Sequence, residues 1–431
     1  MHDNRVKRHI KALAPKFSKV LVSYRPIPDE RLNLDIANVT GKVFNHTPGE
    51  LVNKRIRDDY AAAGLLSELV SAFPPILLDK LAVPGWLPFS LDIQGQVLAT
   101  PRFRDVRNVT TNDEDALSDA WNVLWTLDFF IQWANEARQI PADVVYCNDL
   151  ETLLCGVVHK KIFNSRLIYD AHELAFDIVP GHHSRVYKNT MALLEYKLTQ
   201  MVDVLLGVSA SQLDWMREAY GLTIPCLTIP NCSEYAEAGD YAPPLPSTPL
   251  RVYYHGASDQ WRGLEATVDA IQDVEDVVLM LRCLDSDNLP KLKARVRQNK
   301  LDDKVFFLDP VQGSGLSGAV RESADIGIHA CDVQPCMNIQ VALSNKFIEY
   351  LKAGVPVITS PLREQARIVK DYALGFVLKD NSPEEIARAI KEAAADPERL
   401  RTMGNNALRA YRELFQWAHY EETLQRTVVG N

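Results

Sequence analysis

Ser344-Asn345-Lys346-Phe347-Ile348-Glu349-Tyr350-Leu351-Lys352-Ala353-Gly354-Val355-Pro356-Val357 reads as a helix that stops and turns directly into a strand. Ser344 suits the residue before the first turn, where a side-chain oxygen accepts a free backbone N–H. Gly354 suits the left-handed residue that closes a helix, and Pro356 prevents its continuation. Residues 355–359 are a short apolar run of the kind found in buried strands. Lys346 and Glu349 are three apart, and Asn345 and Glu349 four apart, so these side chains share one face. A helix start supplies free N–H groups and a positive dipole end, both suited to a diphosphate, and Lys346 adds charge there. Glu349, one turn in, is placed to accept from ribose hydroxyls, as acids do in dinucleotide sites. The same residues also suit a surface helix with a Lys–Glu pair.

Around this stretch, apolar strand and amphipathic helix alternate. Strands are expected at 250–254, 277–281, 304–308 and 325–328, with helices between them at 264–271 and 291–298. Ser382-Pro383-Glu384-Glu385 is a strong helix start: a cap, a proline at the first position and acids in the first turn. The same rhythm begins at residue 143, with strands at 143–147, 166–169, 204–207 and 226–229. Helices are expected over 150–160, 193–201 and 211–220, and further amphipathic helices over 61–73 and 116–138. Strand order between Lys19 and Gly95 is not legible. Such alternation predicts mostly parallel sheets with helices on both faces. Tyr241–Pro249 carries four prolines in nine residues, which suits an extended linker. The reading is therefore α/β, with two doubly wound domains and a ligand cleft between them, beyond the carboxyl ends of the strands.

The length of 431 residues exceeds one ordinary core and fits two. A net charge of −9 argues against broad nucleic-acid binding. From Arg5 to Arg57 there are twelve Lys or Arg, against five acids between Asp3 and Glu50. That basic opening suits peripheral contact with anionic lipid or a phosphate-bearing acceptor, or simply a solvated helix face. Seven cysteines, an odd number at irregular spacing, suggest neither a disulfide framework nor a zinc site. No run of 18 apolar residues and no apolar leader is present, so the expectation is a cytoplasmic chain, free or peripheral at the inner membrane face.

Tyr253-Tyr254-His255-Gly256 ends the first strand of the second half, and Arg262-Gly263-Leu264 opens the following helix. Glycine at a strand end permits close backbone approach, and arginine can grip phosphate through two donors. With the stretch 345–357, these residues resemble the donor domain of family-4 retaining glycosyltransferases with the GT-B fold. Asp170-Ala171-His172-Glu173, Ile229-Pro230-Asn231 and Phe415-Gln416-Trp417 are similar to further landmarks, as seen in bacterial members that build surface polysaccharides. The likeness runs in order over residues 143–428.

The resemblance implies a first, acceptor-side Rossmann-like domain at 1–235, a linker at 236–249 and a donor domain at 250–414. A terminal helix, 415–431, is implied to return to the first domain. It implies that Glu349 binds ribose and that Arg262 binds phosphate, with Gly256, Asn345 and Lys346 beside them and Val311 near the base. His172 is implied as the catalytic residue facing the donor sugar. Asp149, Asp170 and Glu173 fall on the acceptor side, although Asp149 equally suits a helix cap. The implied reaction moves a sugar from a UDP- or GDP-linked donor to a hydroxyl of a glycan or lipid-linked acceptor. Configuration is retained, no metal takes part, and no cofactor is permanently bound. Arg262, Lys346 and the helix start would stabilise the leaving diphosphate.

Two departures stand out. The family's first motif glutamate lies eight positions before the second, and here that position is Val341. The opening Asp3–Arg8 resembles the family's first helix, so its first strand is either missing or supplied by Lys19–Tyr24. Both departures favour, as alternatives, a non-catalytic transferase-like subunit; a nucleotide-sugar epimerase of the same fold is the other alternative.

Overall fold

A computed structural model describes residues 4–24, 36, 38–43, 130, 133, 140–175, 177, 185–232, 241–311, 315–332 and 337–430. They form two compact units, Met1–Ile229 with Tyr420–Asn431, and Pro230–His419. The expected helix at 61–73 lies outside the described residues. Of 116–138, Phe130 and Trp133 are described; both are helical and buried.

The first unit opens with helix α1 (Asn4–Leu13), whose Arg5 and Arg8 are buried. Two of the basic residues counted toward a lipid-facing surface are therefore turned inward. Strand β1 (Val20–Tyr24) pairs in parallel with β2 (Val39–Val43). The expected strand at Lys19–Tyr24 thus exists. Among the described residues, however, it belongs to this two-stranded sheet and not to the central one.

The central sheet has the order β3-β4-β5-β6, built from Val144–Asn148, Arg166–Ala171, Val204–Gly207 and Cys226–Thr228, all parallel. Helices α2 (Asp149–Phe163), α3 (Arg185–Thr199) and α4 (Ala210–Tyr220) connect them. Strands β4 and β5 are buried almost throughout, as central strands covered on both faces must be. Ser209 caps α4 by accepting from the Gln212 N–H at 3.0 Å.

Glu195 of α3 is fully buried and accepts from Tyr169 Oη at 2.6 Å and Tyr220 Oη at 2.8 Å. Burial pushes its carboxyl up to about 7, against the two hydroxyl donors. A raised carboxyl stabilises the fold fully below the unfolded value and loses that contribution as pH rises through the folded one. Glu195→Gln is therefore expected to gain stability relative to the parent between pH 5 and 8, by about 2–3 kcal/mol at the upper end. Denaturation midpoints of the two proteins across that range measure it.

The second unit contains six parallel strands: β7 (Leu250–Gly256), β8 (Val277–Cys283), β9 (Val305–Phe307), β10 (Ile326–His329), β11 (Val357–Thr359) and β12 (Gly375–Val377). Their order is β12-β11-β10-β7-β8-β9. Between them run α5 (Leu264–Gln272), α6 (Leu289–Gln298), α7 (Leu316–Ser323), α8 (Met337–Val341), α9 (Asn345–Ala353), α10 (Arg363–Tyr372), α11 (Pro383–Ala395) and α12 (Pro397–Leu414). The period of two along β7 divides the core. Leu250, Val252 and Tyr254 pack with α5, α6 and α11, whereas Tyr253 packs with α9 and α12.

The proline segment also belongs to this unit. Pro243 is buried, and Cβ atoms added to Gly354 and Gly404 would stand 3.2 and 3.1 Å from its ring. Residues 241–249 are extended, but their packing ties them to the second core; 233–240 lie outside the described residues.

The end of the chain returns later than position 415. Phe415 is buried in the second unit, stacked on Tyr411. Helix α13 (Glu421–Val429) belongs to the first unit. There Gln425 Nε2 donates to Ala12 O at 2.9 Å and Arg166 Nη2 to Thr427 O at 2.9 Å. No helix among the described residues is long and apolar enough to cross a membrane.

Candidate functional site

In the second sheet β7 and β10 are neighbours, while the chain leaves β7 toward β8 on one side and β10 toward β11 on the other. Such a reversal opens a crevice at the carboxyl ends of the two strands. His255 and Gly256 end β7, His329 ends β10, and the start of α9 brings Lys346 and Glu349 to the same place.

Glycine is required twice here. Gly256 has φ 115°, and a Cβ on it would lie 3.4 Å from Lys346 Cε. Gly263 has φ 70°, and its Cβ would lie 1.8 Å from the Ala330 carbonyl oxygen, a contact no side chain survives. That close pass seats the turn Gln260–Arg262 against the end of β10, where the Asp332 N–H donates to Trp261 O at 2.9 Å. The Arg262 guanidinium stacks 3.9 Å from the Trp261 ring centroid and lies 3.6 Å from Asp259 Oδ2.

Lys346 is the unusual group. It is 6% exposed, its Nζ sits 3.8 Å over the Tyr254 ring, and among the described residues Nζ has no hydrogen-bond partner. Burial, reinforced by the positive charge of Arg262, pulls its ammonium down to about 7. Behind it, buried His329 bonds through Nδ1 to Gln365 Oε1 at 2.9 Å and faces Cys331 Sγ at 3.2 Å through Nε2. Burial, with Lys346 and Arg262 nearby, holds His329 well below its ordinary value, so it adds no charge. A buried, unpaired ammonium is costly unless an anion completes it.

Glu349 is 34% exposed on its side chain and accepts from His255 Nε2 at 2.6 Å. A carboxylate can only accept, so Nε2 carries the hydrogen. Burial holds His255 below its ordinary value, against the pull of Glu349.

The expected donor residues separate into groups. Gly256, Arg262, Lys346 and Glu349 come together around the crevice. Asn345 is exposed and accepts at Oδ1 from Asn231 Nδ2 at 2.9 Å. Val311 is half-buried at the edge of residues 312–314, which are outside the description. Ser344 occupies the cap position, but its side chain makes no cap bond. Val341 is fully buried at the end of α8 and offers nothing polar. His255 and Trp261 escape the sequence reading as site residues. The signal for His255 lies in the pleat of β7: two residues after Tyr253, it emerges on the same face, which α9 covers.

The first unit holds a second polar cluster. Asp170, at the end of β4, is fully buried and accepts from Arg5 Nη2 at 2.6 Å, Arg5 Nε at 3.1 Å and Tyr146 Oη at 2.8 Å. Arg5 also donates to the Ile229 carbonyl. Since the Tyr146 hydrogen goes to Asp170, His9 Nδ1 is the donor in its 2.6 Å bond to Tyr146. Burial raises the Asp170 carboxyl, but Arg5, His172 and His9 outweigh it and hold the group well below the usual range.

His172 does not present a bare ring nitrogen. Nδ1 stands 3.3 Å from Asp149 Oδ2 and Nε2 3.4 Å from Asp170 Oδ2. Asp149 also accepts from the His172 N–H at 3.0 Å, from a backbone with φ 60°. Asp149 is thus the first residue of α2 and a clamp on His172, and its cap-like position does not use its carboxylate for the helix. Burial pushes its carboxyl up to about 7, against His172. Glu173 is half-buried beside them, raised by the same cause. Arg5 and His9 lie more than 130 residues away in sequence from their partners, and no local pattern announces such contacts.

The two units, each built on parallel sheet and the second with a switch-point crevice, have the GT-B fold that the structural neighbours below share. Residues 241–410 match the family described as Glycosyl transferases group 1, so the second unit carries a domain of that family. An uncharacterized glycosyltransferase of Methanocaldococcus jannaschii is 26% identical over 187 residues, covering 42% of this chain and 46% of that one. The chain therefore matches just under half the length of that curated relative. Sucrose-phosphate synthase from Thermosynechococcus elongatus superimposes with a TM-score of 0.55 at 18% identity, over 70% of this chain and 77% of that one. Anabaena HepE in complex with UDP-glucose gives 0.54 at 16% identity, over 70% and 81%.

Proposed function

We propose that the chain is a glycosyltransferase whose second unit binds a nucleotide diphosphate sugar at the β7–β10 switch point. The observation that carries this reading is Lys346: a buried ammonium without a hydrogen-bond partner among the described residues, beside Arg262 and under the glycine end of β7. A diphosphate supplies the missing anion, and the helix start adds free N–H groups. Glu349 takes the ribose. The UDP-glucose complex of a structural neighbour and the matched family support a nucleotide-sugar donor, UDP- or GDP-linked.

The reaction leaves a nucleoside diphosphate, whose growing charge Lys346 and Arg262 stabilise without a metal. Transfer goes with retention to a hydroxyl of a glycan or lipid-linked acceptor. Asp149, His172 and Glu173 meet the acceptor side, whereas Asp170, fully buried and tied to Arg5, stands behind His172 and does not reach an acceptor. His172 acts there as a charged or hydrogen-bonding group held by two carboxylates, not as a free base. All six described cysteines are unpaired, which supports a reducing compartment such as the cytoplasm.

A second reading, a non-catalytic binding subunit, is favoured by Val341, which replaces a polar contact with buried methyl groups. One experiment separates them. Incubation with UDP-, GDP- and ADP-sugars is expected to show binding and slow hydrolysis or transfer of one donor. Glu349→Ala is expected to weaken that binding about tenfold, the worth of a charged hydrogen bond, in a chain that still folds but melts somewhat lower because the buried His255 Nε2–H loses its acceptor. Binding without turnover supports the subunit reading; no binding of any donor overturns both.

A further inference from the structure

We infer that His255 is a positioning residue that fixes Glu349 for a ribose and makes the crevice select ribonucleotides over deoxynucleotides. The inference rests on the donor site proposed above and concerns how that site tells one sugar from another.

The imidazole packs against two tyrosine rings that also touch each other, centroids 6.3 Å apart. It stands at the end of β7, 7% exposed on its side chain. Its ring meets the Tyr350 ring edge-on, centroids 5.2 Å apart at 84°, and the Tyr253 ring lies 5.6 Å away. Tyr350 is itself pinned, its hydroxyl lying 3.2 Å from Tyr253 O and 3.3 Å from Ile328 O. The Nε2–H therefore has one direction to point, and Glu349 Oε2 is there at 2.6 Å.

A glutamate on a half-exposed helix turn ordinarily samples several rotamers and must lose them on binding. Here one oxygen is already tied from within. Oε1 remains, on a side chain exposed enough to meet a ligand hydroxyl. Burial, together with the charges of Lys346 and Arg282, holds His255 below its ordinary value against the pull of Glu349, so the geometry of a neutral ring donating through Nε2 is favoured. Removing the hydroxyl leaves a fixed, desolvated acceptor without a donor, which is how a hydrogen-bonding site rejects an analogue. A mobile glutamate would turn back to water and reject it less.

The test uses the full chain and titration calorimetry with UDP, GDP and ADP, followed by the 2′,3′-dideoxy form of whichever binds. The parent is expected to prefer the ribonucleotide by about 30-fold, the scale of a charged hydrogen bond left unmade. His255→Leu, which fills the space without donating, is expected to cut that preference about tenfold while leaving dideoxynucleotide affinity within about twofold. His255→Gln, which keeps an N–H donor, is expected to stay within about threefold of the parent preference. Thermal melts establish that both variants fold; should His255→Leu fail, His255→Ala takes its place. Equal weakening of both nucleotides in a folded variant, or an unchanged preference, overturns the inference alone. Absence of any nucleotide binding by the parent overturns the proposed function and this inference with it.

Discussion

Replacing Lys346 by methionine is expected to stabilise the second unit and to remove most of its affinity for a nucleotide sugar. The two effects have one cause. The Lys346 ammonium is buried, has no hydrogen-bond partner among the described residues, and is opposed by Arg262. Its compensation in the ligand-free chain is the Tyr254 ring, 3.8 Å away, an interaction worth about 1–2 kcal/mol. The shift from 10.5 to about 7 corresponds to a penalty of up to about 5 kcal/mol on the charged form. Methionine keeps the length and the contact with the ring and carries no charge. A net gain of about 2–4 kcal/mol is expected, the usual sign when a functional strain is removed.

The pH dependence identifies the cause. A lysine lowered in the folded state stabilises the fold fully above its unfolded value and loses that contribution as pH falls toward the folded value. The advantage of Lys346→Met should therefore be small at pH 10, grow as pH falls to 7, and stay level below. Denaturant midpoints at pH 6, 8 and 10 in nucleotide-free buffer measure it; an advantage independent of pH would overturn the electrostatic account.

Donor affinity runs the other way. Loss of the charge-assisted bonds that the proposed site makes to a diphosphate should weaken binding of whichever nucleotide sugar the donor panel selects about 100-fold. A bound diphosphate raises the Lys346 value again, so the parent takes up a proton on binding above pH 7. Its affinity should fall by up to about tenfold per pH unit there, and the variant's should not.

The legibility of these features in the sequence follows their range. Helix α9 could be read because its stop signal, Gly354 and Pro356, lies within one turn of its end. The crevice could be read because β7, Gly256 and Arg262 occur within a dozen residues, and the parallel sheet follows from the alternation. Burial of Lys346 could not be read. Lysine on a helix face is ordinarily solvated, and only the packing of α9 against β7 excludes water from it. The pairing of His255 with Glu349 depends on two elements 94 residues apart, although the pleat of β7 already fixed the side on which His255 would emerge. The first unit was harder still. Its β3–β6 sheet showed in apolar runs, but the role of α1 rests on contacts spanning 165 and 224 residues. Charge counting alone sent Arg5 and Arg8 to the surface; both are buried, and acceptors inside the unit satisfy Arg5.

Arg5→Met is accordingly expected to destabilise the first unit by about 3–5 kcal/mol, the cost of leaving one member of a buried ion pair uncompensated. Arg5 and Asp170 are 3% and 0% exposed on their side chains and joined by bonds of 2.6 and 3.1 Å. Asp170→Asn in the Arg5→Met background should recover about half of the loss, because the stranded charge disappears while the Tyr146 hydroxyl keeps an acceptor. Additive effects of the two substitutions would sink this account. A carboxyl lowered in the folded state stabilises above the unfolded value and loses that contribution as pH falls through the folded one, so the Arg5→Met deficit should be level above pH 4 and shrink in acid. The deficit should also reach the end of the chain. Helix α1 carries Arg5 at one end and, at the other, the Ala12 carbonyl that accepts from Gln425 of α13. Releasing Arg5 loosens both helices, and proton exchange at the α13 amides should rise together with that of α1.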